Sequence, residues 1–581
     1  MVASATSYMQ KTDRAAKRQR QRNPPQAAPG SSRIRAEPAA GKMVGFVERH
    51  SRGLALAAVL FASLRIVATY HVFDHTSDEP AHIACGMEYL DKGVYTWEPQ
   101  HPPLARVSVA LGPYLLGLRS QNTPRKSFIS KFAEGAAILY SGHRYELALS
   151  LARAGVLPFF WLACLVVYWW GARYFSRAVA AAAVLFFSFL PPVLAHSGLA
   201  TTDIALTAFL AAAFLAGRVW LERPSLANGA LFGACCGLMV LSKFSCLAFF
   251  PASAALALAW YFYRARPKPR LVLTAAMQRL PSFALAVATG CLLVWAGYRF
   301  SFGKVAAASF PLPAPELWAG IQEVREHNAK GHYGYLLGTV GGTGFWDFYW
   351  VALGVKTPLG FLALLGAGVV LAFRKRLRGS ELWFPLAFSA GILAVGMFSR
   401  INIGVRHVLP VYVGFSLVAA FAALHLLEAD GAERGWVRAV PAALCVWFAA
   451  SSLLAHPDYL AYFNEIAGSE PEKILVESDL DWGQDQKRLA QRLKELGADS
   501  VFYTPYIFAD LEKEHGFPKI YLLNHDHPMP GWNAAGFSGL TILNQAPWAD
   551  RFPPRERVGK SMLLWYFPPP PGVPAAIPPA R

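Results

Sequence analysis

The chain has 581 residues, of which 54% are hydrophobic and only 16% charged, with a mean hydropathy of +0.30. A soluble domain carries nearer a quarter of charged residues, whereas apolar runs of about 20 residues recur here, so an ordinary water-soluble enzyme is excluded and a polytopic membrane protein is indicated. The formal charge of +18 does not point to nucleic acid, because it gathers in one tail and in short loops with no base-stacking module beside it.

Residues 1–48 are basic (Lys11, Arg14, Lys17, Arg18, Arg20, Arg22), rich in Pro, Ala and Gly, and without a hydrophobic stretch. They read as a disordered cytoplasmic tail with no cleavable signal. Hydropathy then predicts about eleven transmembrane helices, near 53–72, 152–172, 178–195, 202–221, 226–242, 244–263, 280–300, 351–373, 382–398, 406–427 and 436–455. With the N-terminus inside, Arg173 and Arg177, Arg218 and Arg223, the 264–270 cluster, the 374–378 cluster, and Arg434 with Arg438 all fall on the inner side. A shift of one span would spoil that agreement. Residues 49–456 therefore read as the transmembrane domain. Its outward parts are a long first loop at 73–150, a link near 196–201, a second large loop at 301–350, and everything after 456.

Inside the first loop, His101-Pro102-Pro103 opens an apolar stretch from Leu104 to Leu118 that is too short to span and is expected to lie along the interface. Six of the seven cysteines lie in apolar runs and only Cys85 in an outer loop, so no disulfide framework or zinc spacing exists. Residues 457–566 change character and read as an extracytoplasmic α/β domain. Strands are expected at 474–478, 501–503, 520–523, 540–543 and 562–566, with a helix over 484–496 stopped by Gly497. A Pro-rich tail, 567–581, closes the chain.

The polar residues near span ends are the informative ones. Asp78 and Glu79 follow the first span, Asp203 starts the fourth after Thr201-Thr202, and Lys243 lies at the turn between two tightly connected spans. Lys356 lies early in the eighth span, and Arg406-His407 begin the tenth. The topology brings all of them to the outer membrane surface. Carboxylates there can act as a base toward a hydroxyl, and cations can match a departing phosphate, which stays at the lipid boundary. Each residue also has a plainer reading. Asp78 or Glu79 and Asp203 can cap helices, Lys243 can snorkel, Arg406 can anchor a helix end, and His101 and His196 can be loop hydrogen-bonders. It is their collection on one face that favours function.

Asp78-Glu79-Pro80-Ala81-His82, then Gly86 and Tyr89-Leu90, then His101-Pro-Pro-Leu104, resembles the first outer loop of the protein O-mannosyltransferase-like glycosyltransferases. The same family resemblance covers Ala200-Thr-Thr-Asp203, Leu241-Ser-Lys243, Val355-Lys356-Thr-Pro358 and Arg406-His407-Val-Leu-Pro410. It continues through His456 to Glu465 and Ser478 to Asp485, so it spans roughly residues 50–565. It implies a C-type glycosyltransferase fold of about eleven transmembrane helices with the α/β domain outside. A polyprenyl-phosphate sugar would be the donor, a hydroxyl of unidentified protein, lipid or glycan the acceptor, and membrane lipids the surroundings, in a bacterial inner membrane.

By the same resemblance Asp78 is the base and Glu79 a supporting carboxylate. Asp203 holds a metal or orients the acceptor, while Lys243 and Arg406 match the donor phosphate, with His101, Lys356 and His407 on the substrate side. Attack opposite the phosphate would invert the anomeric carbon. A divalent cation is left open, with Glu79 and Asp203 as its candidate ligands. Asp479-Leu-Asp481 mimics the acidic motif of nucleotide-sugar transferases but is expected to be structural or acceptor-facing. Two other readings stand beside this one: a lipid-sugar flippase or transporter, and a non-catalytic envelope-assembly protein.

Overall fold

The structure, a computed structural model, describes residues 39–305, 308–374, 381–428 and 436–569. The tail before residue 39, most of the basic 374–378 cluster, Arg434 and the end of the Pro-rich tail lie outside the described residues. The chain divides into two units, Met1–Lys42 and Met43–Arg581. Nearly everything described belongs to the second.

Among the described residues, six helices are long and apolar enough to cross a membrane: Lys42–Val67, Tyr145–Tyr174, Asp203–Glu222, Cys246–Ala265, Pro269–Gly297 and Val411–Glu428. Two further crossings are bent pairs. Arg177–Phe189 turns by 67° into Pro191–Ser197, and Phe348–Lys356 turns by 119° into Leu359–Phe373. The breaks have local causes: Pro191-Pro192 and Pro358 cannot continue a helical hydrogen-bond ladder. Leu226–Ser242, Trp383–Phe398 and Arg438–Leu454 are shorter apolar helices. Together these elements fall on the apolar regions read from hydropathy. The tenth begins later than expected, because Arg406 and His407 lie in a 3-10 turn, Val405–Val408, ahead of the helix at Val411.

The segment after the first span folds into helices Glu79–Lys92, Pro103–Leu115 and Ser130–Tyr140 before Tyr145 leads into the next span. Prolines start the first two, at positions where a missing N–H costs nothing. The apolar stretch after Pro102-Pro103 is thus a helix, with Leu111 and Leu115 exposed and Ala105, Val109 and Ala110 buried. Gly135 sets how closely the loop packs, since a Cβ there would lie 1.8 Å from the Pro80 carbonyl oxygen.

Beyond residue 456 a five-stranded mixed sheet forms, in the order Lys519–Tyr521, Ser500–Tyr503, Gly531–Gly536, Met562–Phe567, Glu556–Val558. The first two junctions are parallel and the last two antiparallel. Helix Gln486–Glu495 packs on the sheet through Leu489 and Leu493 and ends before Gly497, whose φ of 64° suits glycine. Two expected strands are corrected. Residues 474–478 fall across the 3-10 turns Pro471–Lys473 and Glu477–Asp479, because Glu477 takes a φ of 57° that no strand tolerates. Residues 540–543 follow and partly form a short helix, Phe537–Thr541, whose first turn is tied to Asp481 through Ser538.

Candidate functional site

Four of the charged residues meet. Asp78 stands at the N-cap of helix Glu79–Lys92 but makes no capping hydrogen bond; instead its Oδ2 accepts from Arg406 Nη1 at 3.0 Å. Asp203 is the first residue of its helix, with Thr202 at the N-cap position but making no capping hydrogen bond, and its Oδ1 accepts from Lys243 Nζ at 2.6 Å. Arg406 Nη1 lies 3.9 Å from Asp203 Oδ2, so one guanidinium bridges the two carboxylates. Thr201 Oγ1 donates to Asp203 at 3.2 Å. Asp203, Lys243 and Arg406 are buried, whereas the Asp78 side chain keeps 31% of its surface exposed. Burial by itself would lower the Arg406 pKa; Asp78 and Asp203 outweigh it and hold the guanidinium above its ordinary value.

Glu79 faces away from this quartet. Its two oxygens accept from Arg153 Nε and Nη2 (both 2.9 Å), Ala200 N (2.8 Å) and Thr76 N (2.7 Å), and the residue is fully buried. Burial would raise its pKa, but the Arg153 charge together with the hydrogen bonds from Arg153, Ala200 and Thr76 outweighs it and holds the carboxyl below the usual carboxylate range. The bond to Ala200 ties the start of the helix Glu79–Lys92 to the bend that leads into Asp203. Two acidic neighbours in sequence thus have different duties: Asp78 sits in the quartet and Glu79 locks its frame.

The remaining expected site residues surround the quartet without joining its ion pairs. Lys356 is buried and donates to the carbonyls of Leu460 (2.7 Å) and Asp479 (2.5 Å), clasping the outer domain rather than facing a ligand. His101 packs edge-on against His82 with ring centroids 5.4 Å apart, and His407 stacks on Tyr349 at 6.1 Å. Both have a buried Nδ1 without a partner. Burial first, and nearby cations second, push both rings below the ordinary histidine pKa, His407 to about 3, so they are neutral donors or acceptors. His196 is buried beside Trp482, again with Nδ1 unpaired.

The outer domain adds residues to which the sequence reading assigned no role. The Arg406 guanidinium lies 4.1 Å above the buried Trp482 ring, and its Nε donates to Ser478 Oγ at 3.2 Å and to the Ile403 carbonyl at 3.1 Å. The Trp482 carbonyl accepts from Ser77 N at 3.0 Å, next to Asp78. Gly404 makes this approach possible: with a φ of 86°, it leaves room where a Cβ would lie 2.5 Å from Ser478 Oγ. Asp479 Oδ1 accepts from Val405 N, and Asp481 accepts from Ser538 N and Gly483 N. Those two carboxylates hold loops together, which agrees with the structural reading of the Asp479-Leu-Asp481 motif. The signal for the missed residues was the acidic density of Glu477 to Asp485, whose partners sit far away in the chain.

The quartet does not fit a metal site. Glu79 and Asp203 spend their lone pairs on Arg153, Lys243 and amides. Among the described residues no three His, Cys, Asp or Glu side chains converge so as to hold an ion.

Residues 156–280, which include Asp203 and Lys243, match the family model described as dolichyl-phosphate-mannose-protein mannosyltransferase. The match covers 125 of the 581 residues, within a multi-pass helical body, and is a likeness to membrane glycosyltransferases. No curated protein matches the chain by sequence. Among solved structures, ArnT from Cupriavidus metallidurans bound to undecaprenyl phosphate aligns at 13% identity and a TM-score of 0.47, over 88% of this chain and 98% of that one. Its apo form aligns at 12% identity over the same shares, with a TM-score of 0.45. The archaeal oligosaccharyltransferase AglB from Archaeoglobus fulgidus, in complex with an inhibitory peptide and a dolichol-phosphate, aligns at 16% identity and a TM-score of 0.40, over 71% of this chain and 56% of that one.

Proposed function

We propose that this chain transfers a sugar from a polyprenyl-phosphate donor to a hydroxyl acceptor at the extracytoplasmic face of a bacterial inner membrane, with inversion and with Asp78 as general base. The observation that carries the reading is the convergence of Asp78, Asp203, Lys243 and Arg406 from four separate elements. Asp78 is the partly exposed carboxylate of the set, and its side chain pairs with a cation that a phosphate would also attract. Donor phosphate drawing on Arg406 loosens its hold on Asp78, so the base is released as the leaving group is bound. The acceptor oxygen then attacks the anomeric carbon, its proton passes to Asp78, and the carbon–oxygen bond to phosphate breaks. The lipid phosphate leaves as an anion matched by Lys243 and Arg406, so no separate acid is needed.

Glu79 acts in this scheme as a positioning residue, and so does Lys356 through the outer domain. The orientation rests on the distribution of basic residues, with 1–48 inside and 457–566 outside.

Cells lacking the gene, complemented with wild type or with Asp78→Asn, test the proposal. Mass spectrometry of polyprenyl-phosphate sugars and envelope glycans should show an accumulated donor and a missing glycan in the deletion. Wild type should restore both and Asp78→Asn neither, at equal protein levels. Restoration by Asp78→Asn refutes the base assignment, and unaltered pools in the deletion refute transfer itself.

A further inference from the structure

Glu477, in the C-terminal domain, is connected to the quartet by a chain of polar contacts. Ser478 Oγ lies within reach of both the Ile403 carbonyl at 2.6 Å and Glu477 Oε2 at 3.3 Å, to one of which at a time its hydrogen is donated; it accepts from Arg406 Nε at 3.2 Å, and Arg406 Nη1 donates to Asp78 at 3.0 Å. On the far side, Glu477 Oε1 lies 4.0 Å from His332 Nε2 of the second outer loop, and the Glu477 side chain is only 14% exposed. Its backbone is held in the left-handed region, at a φ of 57°, with its own N–H donating to Ser538 Oγ at 3.1 Å. A non-glycine residue held in that conformation at a site is a costly arrangement that the surrounding contacts must enforce. The fold therefore holds this carboxyl where its charge and that of Arg406 act on one another.

We propose that Glu477 is a positioning residue of the transfer site, which regulates through Ser478 and Arg406 how much positive charge is offered to the donor phosphate. The inference rests on the reading that Arg406 meets that phosphate. With Glu477 neutral, Asp78, Asp203, Lys243 and Arg406 sum to zero charge. With Glu477 ionised the same pocket carries one net negative charge before any phosphate arrives, and Arg406 is divided among three carboxylates.

The carboxyl is suited to change state near neutrality. Burial raises it to about 7; Arg406 opposes that rise, while Asp78 and Asp479 add to it. The other titratable groups within its field are Tyr506, from the loop after strand Ser500–Tyr503, and Tyr349. His332, pushed down to about 4 by burial and by His327 and Arg406, is neutral over this range and does not compensate the new charge. Phosphate affinity should accordingly be highest below about pH 7 and fall as Glu477 ionises above it.

The test is binding of undecaprenyl phosphate to the full chain in nanodiscs, from pH 6 to 8.5, for wild type and Glu477→Gln. Taking the ratio of the two dissociation constants cancels the titration of the lipid itself. The ratio of wild type to E477Q should rise about tenfold across the range, the effect of one unit of coupling between the two ionisations. Glu477→Asp keeps a titrating carboxyl and should keep a pH-dependent ratio to E477Q; it also replaces wild type as the partner in the comparison if protein yields differ. A ratio that stays flat overturns the inference. Wild type that binds no undecaprenyl phosphate at any pH overturns the donor reading and the inference with it, whereas intact binding lost on Arg406→Ala, together with a flat ratio, overturns the inference alone.

Discussion

At the residue scale, Asp78 and Glu79 show how little adjacency says about role. Helix Glu79–Lys92 starts between them, so their side chains leave the backbone on different faces. Asp78 reaches Arg406; Glu79 is buried against Arg153 with both oxygens saturated. The two substitutions should therefore fail in different ways. Asp78→Asn should keep the fold and remove the proposed base, so kcat should fall about 10²–10⁴-fold with an unchanged melting temperature in detergent. Glu79→Gln leaves Arg153 buried without its counter-charge, which should destabilise the protein by about 3–5 kcal/mol. Thermal unfolding followed beside activity separates the two. A Glu79→Gln protein that melts like wild type yet is inactive would return Glu79 to the catalytic set. The pH dependence has a definite sign. Because the folded Glu79 lies below its ordinary pKa, the stability from this pair is full above the ordinary carboxylate range and is lost as pH falls through the depressed value.

At the scale of elements, the break at Lys356-Thr357-Pro358 links the membrane body to the domain outside it. Lys356 ends one half of a helix pair bent by 119° and donates to two outer-domain carbonyls, while Asn464 Nδ2 donates back to the Thr357 carbonyl at 2.7 Å. Lys356→Met should lower the melting temperature and open the 455–480 segment to limited proteolysis, with donor affinity changed less than stability. Loss of donor binding at an unchanged melting temperature would instead make Lys356 a ligand contact.

The helical spans were legible because an apolar run of span length has few alternatives in a chain of this composition. So were Asp203 and Lys243, each at a helix end where a charge stands out against its neighbours. The bends were not, since hydropathy reports burial and not axis direction. Strand Gly531–Gly536 escaped because Gly-Trp-Asn-Ala-Ala-Gly lacks β-branched residues and alternation; its place is set by partners at Val501–Tyr503 and Met562–Phe567. Ile474 to Ser478 looked like a strand for the opposite reason. Its apolar residues do pack inward, but Glu477 turns the chain toward Arg406.

At the scale of the whole molecule, the outer domain is seated on the first loop by a second buried polar contact, away from the quartet. His515, at the end of helix Leu511–His515, places Nδ1 3.0 Å from Asp74 Oδ1, with the two side chains 2% and 0% exposed. The Tyr140 hydroxyl is hydrogen-bonded to His515 Nε2 at 2.7 Å, and Tyr145 donates to Asp74 at 3.3 Å while bonding the His75 ring at 2.8 Å. Four residues away in the same segment lies Asp78, the proposed base, and the backbone between them is pinned by bonds from Asp74 N to the Gln484 carbonyl and from Ser77 N to the Trp482 carbonyl. Docking of the domain and placement of the base are therefore one structural problem. His515→Ala removes the ring nitrogen that faces Asp74 Oδ1, leaving a buried carboxylate whose Oδ2 already has no partner. An uncompensated charge in such a place costs several kcal/mol, and because the pair is shielded from solvent, added salt should do little to change the loss. The expected outcome is a lower melting temperature at both 50 mM and 500 mM salt, written as about the same shift in each. It should come with a reduced kcat, because Ser77 and Asp78 lose their backing, while undecaprenyl phosphate still binds through Lys243 and Arg406. A variant that melts as wild type with full activity would show that the domain is seated by its contacts around Arg406 alone.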